Sequence, residues 1–202
     1  MKTVLKTTVL FALMAATQVA SASYYNTATW TGAGANGHKY EIFEQHTKLT
    51  WSEASQKAKD LGGHLVTITS QAESNWLFTN LVDDSRFWNG RYGAWIGAYQ
   101  KDETQGSLST ENWNWVTGEA WSFETWNGYE PNDAHGYHSE AYAHFWKKSN
   151  SWNDLKDKGD NQVSSYVVEY GISEVPVPAA AFLFAPALLG FMGLRRKAKK
   201  AA

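Results

Sequence analysis

Apolar residues recur at helical spacing between positions 51 and 61, which predicts an amphipathic helix. Its apolar face carries Trp51, Ala54, Ala58 and Leu61. Thr50 and Glu53 form a capping box at its start, because Thr50 can act as the N-cap while the Glu53 side chain reaches back to it. The Gly-Gly pair at 62–63 predicts the end of the helix.

A second capping box, at Ser70 and Glu73, predicts a second helix. The residues that this helix directs inward are Trp76, Leu77 and Leu81. Helical spacing disappears further along the chain, and short apolar or alternating runs indicate strands. The predicted strands cover residues 39–44, 65–68, 94–98, 142–146 and 166–170. Residues 122–141 are rich in Gly and Asn and predict a long loop region, the expected place for a functional site.

The N-terminus has the pattern of a secretory signal in residues 1–22. Lys2 and Lys6 precede a short apolar run, and Ala-Ser-Ala at 20–22 is a typical cleavage site. An anchored N-terminal helix is the alternative, but the run is far shorter than a membrane span. We therefore expect a mature chain that begins at Ser23, with residues 23–37 as a linker, an N-terminal extension or a loosely attached first strand. Residues 38–171 are the predicted globular domain.

The C-terminus predicts a second targeting unit in three parts. Residues 172–178 form a linker that ends in Val-Pro-Val-Pro, residues 179–194 carry no charge, and residues 195–202 contain five basic residues. An apolar segment followed by a basic cluster predicts a transmembrane segment with a basic cytoplasmic tail. A buried helix is the alternative, but such a helix would have a polar face.

This tail resembles the bacterial PEP-CTERM sorting signal, although the Glu of the usual Pro-Glu-Pro motif is absent. The resemblance implies recognition by an exosortase-like sorting enzyme and removal of the tail. The protein would then be released to the extracellular matrix, or would stay anchored at the bacterial cell surface through its C-terminal helix if the tail is not removed.

Without its targeting segments the predicted domain is acidic. The chain has 18 Lys and Arg against 20 Asp and Glu, and seven of the basic residues lie in the two targeting segments. The other 11 basic and 20 acidic residues give a net charge of −9, which repels nucleic acid and favours cations. The chain has no Cys and 11 Trp, so we expect a core held by aromatic packing without disulfides.

Five side chains with oxygen atoms lie in segments rich in Gly, Asn and Trp, which are typical of loops. They are Glu130, Asn132, Glu140, Asn153 and Asp154. Calcium takes about six to eight oxygens at flexible geometry, and this mixture of carboxylates and amides suits it. Zinc is not indicated, because the chain lacks Cys and no His pair has a convincing spacing. His135, His138 and His144 are candidate metal ligands, but the polarity of the loops explains them about as well.

Other polar residues of these loops have two interpretations each. Asp102, Glu103 and Asp133 form either an accessory calcium site or, as we favour, a set of solvated charges. Tyr137 and His138 are candidates to stack on a sugar face, or are ordinary loop residues.

Six motifs follow one another between residues 51 and 170. They are Trp-Ser-Glu-Ala at 51–54, Gly-Gly-His-Leu-Val-Thr-Ile at 62–68, Trp-Ile-Gly at 95–97, Trp-Val-Thr-Gly at 115–118, Glu-Pro-Asn at 130–132 and Trp-Asn-Asp at 152–154. Together they resemble the C-type lectin domain. The resemblance implies an α+β fold in which two helices pack with short antiparallel sheets, and a long loop region carries the calcium site. The usual disulfide positions of the family fall near Ala58 with Val168 and near Tyr142 with Asp157, and none of the four is Cys.

In lectins of this family, Glu-Pro-Asn matches binding of mannose-type sugars. The resemblance implies that adjacent equatorial hydroxyls bind calcium while Glu130 and Glu140 accept hydrogen bonds from them and Asn132 and Asn153 donate. The expected ligands are glycans of the mannose, glucose or N-acetylglucosamine type. A cis peptide before Pro131 would aim its two neighbours at one ion.

Two other functions compete with that of a calcium-dependent, non-enzymatic carbohydrate-binding protein. One is an adhesive or structural surface protein that uses a lectin-like fold to bind protein, since fold alone does not fix function. The other is a glycosidase with Glu130 and Glu140 as its carboxylate pair. We reject the enzyme, because both acids are better explained as calcium ligands.

Overall fold

A computed structural model describes residues 24–101, 109–134, 139–158 and 161–171 of the chain. The described helices are α1 (Trp51–Asp60) and α2 (Gln71–Leu77), and α2 continues into a π-helical turn (Phe78–Val82) and a 3-10 turn (Ser85–Phe87). The described strands are β1 (Tyr24–Thr29), β2 (Lys39–Glu44), β3 (His64–Leu65), β4 (Tyr92–Gln100), β5 (Trp113–Trp115), β6 (Tyr142–Trp146), β7 (Trp152–Leu155) and β8 (Ser165–Tyr170).

The strands form one mixed sheet, and the predicted α+β class is confirmed. Its main path runs β1-β2-β8-β4-β6-β7, with β3 beside β8 and β5 beside β4. The pairing of β4 with β8 is parallel, where Trp95 lies opposite Tyr166, and the other described pairs are antiparallel. The expectation of separate antiparallel sheets is corrected by this central parallel contact, which joins the two halves.

The start of α1 confirms the first predicted capping box. Thr50 Oγ1 accepts from Glu53 N at 3.0 Å, and Glu53 Oε2 accepts from Thr50 N at 2.8 Å. The helix is docked by Trp51, whose Nε1 donates to Ile96 O at 2.7 Å. Gly62 ends the helix with a φ of +82°, a conformation that favours glycine.

The second capping box is wrong in one of its two halves. Ser70 Oγ accepts from Glu73 N at 3.2 Å, as predicted. The Glu73 carboxylate does not return to Ser70 and instead accepts from Thr69 N at 2.9 Å and from the Tyr40 hydroxyl at 2.6 Å. Glu73 is buried, so these tertiary partners replace the local one that the sequence pattern indicates.

A buried polar cluster connects the hairpin of β1 and β2 to the rest of the fold. Tyr40 on β2 lies between Glu73 and Glu169, and its hydroxyl is 3.3 Å from Glu169 Oε1. His38 Nδ1 contacts the same Glu169 oxygen at 2.6 Å, and Thr67 N donates to the other at 2.9 Å. Burial raises the pKa of Glu73. The predicted strand over residues 65–68 contacts β8 through Leu65, which pairs with Val168, and through Val66 N, which donates to Val167 O at 3.0 Å. It ends there, because Thr67 N is bound by the Glu169 side chain.

The segment before residue 38 contains strand β1. All six of its residues pair with β2, which favours the first-strand interpretation of that segment over a linker. No helix in the described ranges is long and apolar enough to cross a membrane. The predicted signal in residues 1–22 and the three C-terminal parts, over residues 172–178, 179–194 and 195–202, lie outside the described residues.

Aromatic residues dominate the core, as the composition predicts. The largest fully buried side chains include Trp95, Trp115 and Trp152, whereas Trp76 is only half-buried. Positions where the family has disulfides are filled differently. Ala58 and Val168 are buried in one apolar cluster.

At the second pair of family disulfide positions, Tyr142 and Asp157, hydrogen bonds and ring packing anchor the start of α1. Asp157 O accepts from Trp51 N, and Asp157 Oδ1 accepts from Ser52 N, both at 2.8 Å. Its partner position Tyr142 packs its ring on Trp51, with 4.6 Å between ring centroids. Packing and hydrogen bonds thus occupy both places where the family has covalent links.

The glycine of Trp-Ile-Gly lies where two chain segments pass too closely for a side chain. A Cβ at Gly97 would be 2.6 Å from Leu65 O and 2.9 Å from Val66 O. We expect Gly97→Ala to lower the free energy of unfolding by about 1–3 kcal/mol, as overpacking does. Thermal or urea unfolding measures this change.

Gly171→Ala is the matched control, because a Cβ there meets no atom within 4 Å. It should change stability by less than about 0.5 kcal/mol. Equal stability of Gly97→Ala and the wild type would show that the two backbones can separate without cost.

Candidate functional site

The candidate site lies where the loop after β5 meets strand β7. Two backbone hydrogen bonds of 2.9 Å fix the loop, from Asn127 N to Trp152 O and from Trp152 N to Thr125 O. The interpretation of Trp-Asn-Asp at 152–154 as a loop is wrong, because these residues belong to β7 and pair with β6. Trp152 is fully buried, with its ring centroid 5.8 Å from that of Trp126 in the loop.

The Glu-Pro-Asn segment is held at its start, at its middle and at its end. Glu130 N donates to Asn127 O at 3.0 Å, and the following peptide bond, to Pro131, is cis as predicted. Ser109 Oγ donates to Pro131 O at 2.7 Å. The Asn132 side chain is exposed and hydrogen-bonds to the Glu130 carboxylate, so the two predicted ligands of this motif lie side by side.

Asp154 joins this segment to the sheet. Its carboxylate is fully buried and accepts from Asn132 N at 3.1 Å and from Asp133 N at 2.8 Å. Its pKa is raised to about 7, chiefly by burial and in smaller part by the Glu140 charge, while the two amide hydrogen bonds oppose the shift. A carboxylate in this position therefore binds a proton more readily than usual unless a cation replaces that proton.

Glu140 reaches the same place through a loop that Asp133 closes. Asp133 Oδ1 accepts from Ser139 N at 2.7 Å and from Glu140 N at 2.9 Å, so residues 133 and 140 are held together. Glu140 is buried, and its Oε2 accepts from Ala134 N at 2.7 Å. These hydrogen bonds to Asp133 and Ala134 hold Glu140 close to the Glu-Pro-Asn segment.

Sequence reasoning missed this role of Asp133, which it treated as a solvated charge or an accessory calcium ligand. Asp133 has a φ of +51°, and Asp is one of the few residues that adopt this conformation readily while bonding to nearby backbone amides. That preference is the only local signal for the role. The other loop candidates, Asp102, Glu103, His135, Tyr137 and His138, lie outside the described residues.

Glu130 has one carboxylate oxygen without a partner. Its Oε2 atom is buried and has no hydrogen-bond partner in the described part of the chain. Burial and the nearby Glu140 charge raise the pKa of Glu130, while Lys147 and Asn132 lower it. An orphaned carboxylate oxygen beside further acids is a place where a cation would be stabilised.

Asn153 lies on β7 above a buried histidine. His144 Nδ1 is 2.7 Å from Phe145 O, so this nitrogen carries the proton. His144 Nε2 is then the acceptor for Asn153 Nδ2 at 3.3 Å, and the same amide also contacts Asp154 O. Burial lowers the pKa of His144 to about 3, so the ring is neutral and orients Asn153. Loop polarity is therefore the wrong explanation of His144.

The structure brings the five predicted site residues together from three segments of the chain. No group of three or more His, Cys, Asp and Glu side chains within the described ranges is arranged to hold a metal ion. Glu140 and Asp154 are instead hydrogen-bonded to backbone amides of the loop. The donor set still fits a hard cation, because it combines three carboxylates with two side-chain amides, and the buried Glu130 Oε2 has no hydrogen-bond partner among the described residues. Glu130, Asn132, Glu140, Asn153 and Asp154 are the residues that would hold calcium.

Comparison with known proteins identifies relatives of the chain in a mollusc and in a mammal. Perlucin-like protein of Mytilus galloprovincialis is 31% identical over 108 residues, which are 52% of this chain and 61% of the relative. Lithostathine-2 of Mus musculus is 28% identical over 141 residues, or 69% of this chain and 73% of the relative. The chain thus spans about three fifths of the first relative and nearly three quarters of the second.

A solved structure and a family model agree with these relatives. The cow C-type carbohydrate-recognition domain of CD23, determined in the presence of GlcNAc2Man3 oligosaccharide, has a TM-score of 0.54 at 22% identity. The match covers 72% of this chain and 99% of that domain, and it shows a shared fold. The model of the lectin C-type domain matches residues 47–168. More than half of the chain lies within that match, and the chain belongs to the C-type lectin domain family.

Proposed function

We propose that the chain binds carbohydrate through a calcium ion held by Glu130, Asn132, Glu140, Asn153 and Asp154. The observation that carries the proposal is the set of three neighbouring acids, one of which has an orphaned buried oxygen. Calcium would supply the missing positive charge and coordinate two hydroxyls of a sugar. The proposal includes no enzymatic step.

The four side chains expected on the sugar differ in hydrogen-bonding role. Glu130 and Glu140 accept, whereas the amide groups of Asn132 and Asn153 donate. The Asn153 amide nitrogen contacts His144 Nε2 and Asp154 O, so it has to release one of these two partners to donate to a sugar. Asn132 is already hydrogen-bonded to Glu130, so one acceptor and one donor are adjacent. This order suits a pair of adjacent equatorial hydroxyls, which are present in mannose, glucose and N-acetylglucosamine. Galactose has an axial 4-hydroxyl and offers a different geometry.

We further propose that the protein is exported to a bacterial surface or extracellular matrix. The support is in the sequence: a signal pattern in residues 1–22 and a sorting-signal pattern that ends in residues 195–202. An exosortase-like enzyme would cut near residues 175–178, or the segment over residues 179–194 would retain the protein at the membrane.

The first prediction concerns sugar choice. The double variant Glu130→Gln with Asn132→Asp keeps two oxygen ligands but exchanges acceptor and donor. We expect calcium binding to persist largely and mannose binding to weaken by about 1–3 kcal/mol for each mispaired group. Retention on mannose and galactose resins in calcium, followed by elution with a chelator, measures the change.

Calorimetric titration with calcium is the control for this variant, and the wild type is tested beside it. Calcium uptake by both proteins shows that the ion site is intact. Equal retention of both proteins on mannose would mean that these residues do not read the sugar, and would favour the protein-binding, adhesive alternative. If the wild type takes up no calcium at millimolar concentration, the proposal of calcium-dependent carbohydrate binding is contradicted.

The second prediction concerns pH. Burial lowers the pKa of His144 to about 3, which adds stability as the pH rises, so the effect of Asp154 is measured as the difference between the wild type and Asp154→Asn. In chelator, we expect the wild type to lose stability relative to that variant as the pH rises from the ordinary Asp154 pKa of 3.8 towards its folded value of about 7. The sign follows because the folded protein keeps a proton that the unfolded chain releases across this range. Calcium should remove most of the loss by replacing that proton. Thermal unfolding at several pH values, with chelator and with calcium, tests this.

Asp154→Asn is the matched variant, because its side chain is similar in shape but does not titrate. In chelator its stability relative to that of the wild type should rise with pH between about 3.8 and 7, and calcium should no longer stabilise it. A stability difference between the two proteins that does not change with pH in chelator would contradict the predicted protonation of Asp154.

The third prediction concerns processing. Intact-mass measurement of the protein from its native host should show a chain that starts at Ser23, because residues 1–22 are removed on export. Its end should lie near residues 175–178 or at residue 202 in a membrane fraction. A soluble cytoplasmic protein that still starts at Met1 would rule out export.

A further inference from the structure

Tyr129 is the most exposed large apolar side chain of the described residues. Its exposed fraction is 97%, compared with 58% for Tyr25 and 40% for Leu61. Tyr25 also packs on Phe43, with 5.9 Å between ring centroids. Tyr129 has no comparable ring contact within the described residues, so its ring contributes almost nothing to folding stability.

The backbone around Tyr129 is nevertheless firmly held. A turn over residues 127–130 is closed by the hydrogen bond from Glu130 N to Asn127 O, and Gly128 takes a φ of +60° within it. Asn127 is anchored in turn. Its backbone donates to Trp152 O, and its side-chain Nδ2 donates to Ser151 Oγ at 2.9 Å. The turn therefore presents the Tyr129 ring to solvent from a fixed backbone.

The position of this ring relates it directly to the candidate sugar site. Tyr129 precedes Glu130, and consecutive Cα atoms lie about 3.8 Å apart. Tyr129 is thus the neighbour in the chain of the acid expected to accept from a sugar hydroxyl, and its exposed ring is available to a ligand at that acid. Its combination of an apolar face with a polar hydroxyl is typical of recognition surfaces that are part dry and part wet.

We propose that Tyr129 forms a second contact for the ligand, and that the ligand is an oligosaccharide in which one residue binds at calcium and its neighbour stacks on the Tyr129 ring. This inference rests on the proposed function. A pyranose has a face of C–H groups, which packs on an aromatic ring as other apolar groups do. The backbone of the turn is already ordered in the free protein. Contact with the ring therefore costs little backbone entropy on binding.

The experiment compares a monosaccharide with an oligosaccharide of the same sugar, on the wild type and three variants of the full domain. Calorimetry in calcium measures the affinity for methyl mannoside and for a linear mannose trisaccharide, with matching glucose and N-acetylglucosamine pairs. Tyr129→Ala should weaken trisaccharide binding about two- to tenfold, the range expected for one aromatic contact, and leave the monosaccharide nearly unchanged. Tyr129→Phe should retain the wild-type preference.

Tyr25→Ala is the matched control, because it removes an exposed ring from the opposite edge of the sheet. It should bind both ligands as the wild type does. Unfolding temperatures should show that Tyr129→Ala folds normally, since the side chain is almost fully exposed.

The possible outcomes separate this inference from the proposed function. Suppose that the wild type binds the sugars and that Tyr129→Ala either keeps the wild-type affinity for both ligands or loses the same fraction of it for both. The second contact is then disproved, and the calcium site stands. If the wild type binds none of these sugars in calcium, the proposed function fails and this inference fails with it.

Discussion

The buried carboxylate of Asp154 is the interaction on which the candidate site depends. Two backbone amides, of Asn132 and Asp133, donate to it across the gap between loop and sheet. One side chain therefore sets the distance between Glu-Pro-Asn and β7. The same burial that makes these hydrogen bonds strong makes the charge itself unfavourable. The burial that orders the loop therefore also destabilises the charge of Asp154. Such a conflict is common where a ligand completes a site.

An aromatic layer gives this loop its support. The Trp152 ring packs edge-on against those of Trp115 and Trp126, with 5.6 Å and 5.8 Å between centroids. The Trp126 ring lies in turn 4.7 Å from that of Trp113. Large rings bury much area with few rotatable bonds, and so hold an irregular loop without a covalent link. This is a physical alternative to the disulfides of related domains, and it agrees with a chain that has 11 Trp and no Cys.

Local features of the fold could be predicted from the sequence, and features with distant partners could not. The cap formed by Thr50 and Glu53 is a contact within one helical turn, so the spacing alone determines it. Glu73 has the same spacing relative to Ser70, but its carboxylate is taken by Tyr40, 33 residues away. A local pattern cannot reveal a competitor that only the tertiary fold supplies.

The site shows the same division. The oxygen-bearing side chains and the cis bond before Pro131 could be predicted from motif and composition. The strand that carries Asn153 could not, because four residues are too few for an alternating pattern to stand out from a loop. The support that His144 gives Asn153 was also hidden, since a buried neutral histidine and an exposed one have the same letter. Contacts between the site and the buried residues beneath it, such as that of Asn153 with His144, therefore could not be predicted from the sequence.

The polar cluster around Tyr40 makes the hairpin of β1 and β2 part of the same cooperative folding unit as the rest of the domain. The family match begins at residue 47, after the first hairpin. A protein cut at that point would keep Glu73 and Glu169 in the interior and lose Tyr40 and His38, which partner them. Two carboxylates would then face each other without their shared donor, an arrangement that proteins rarely tolerate. The minimal recombinant domain therefore has to include the hairpin, although the family match does not cover it.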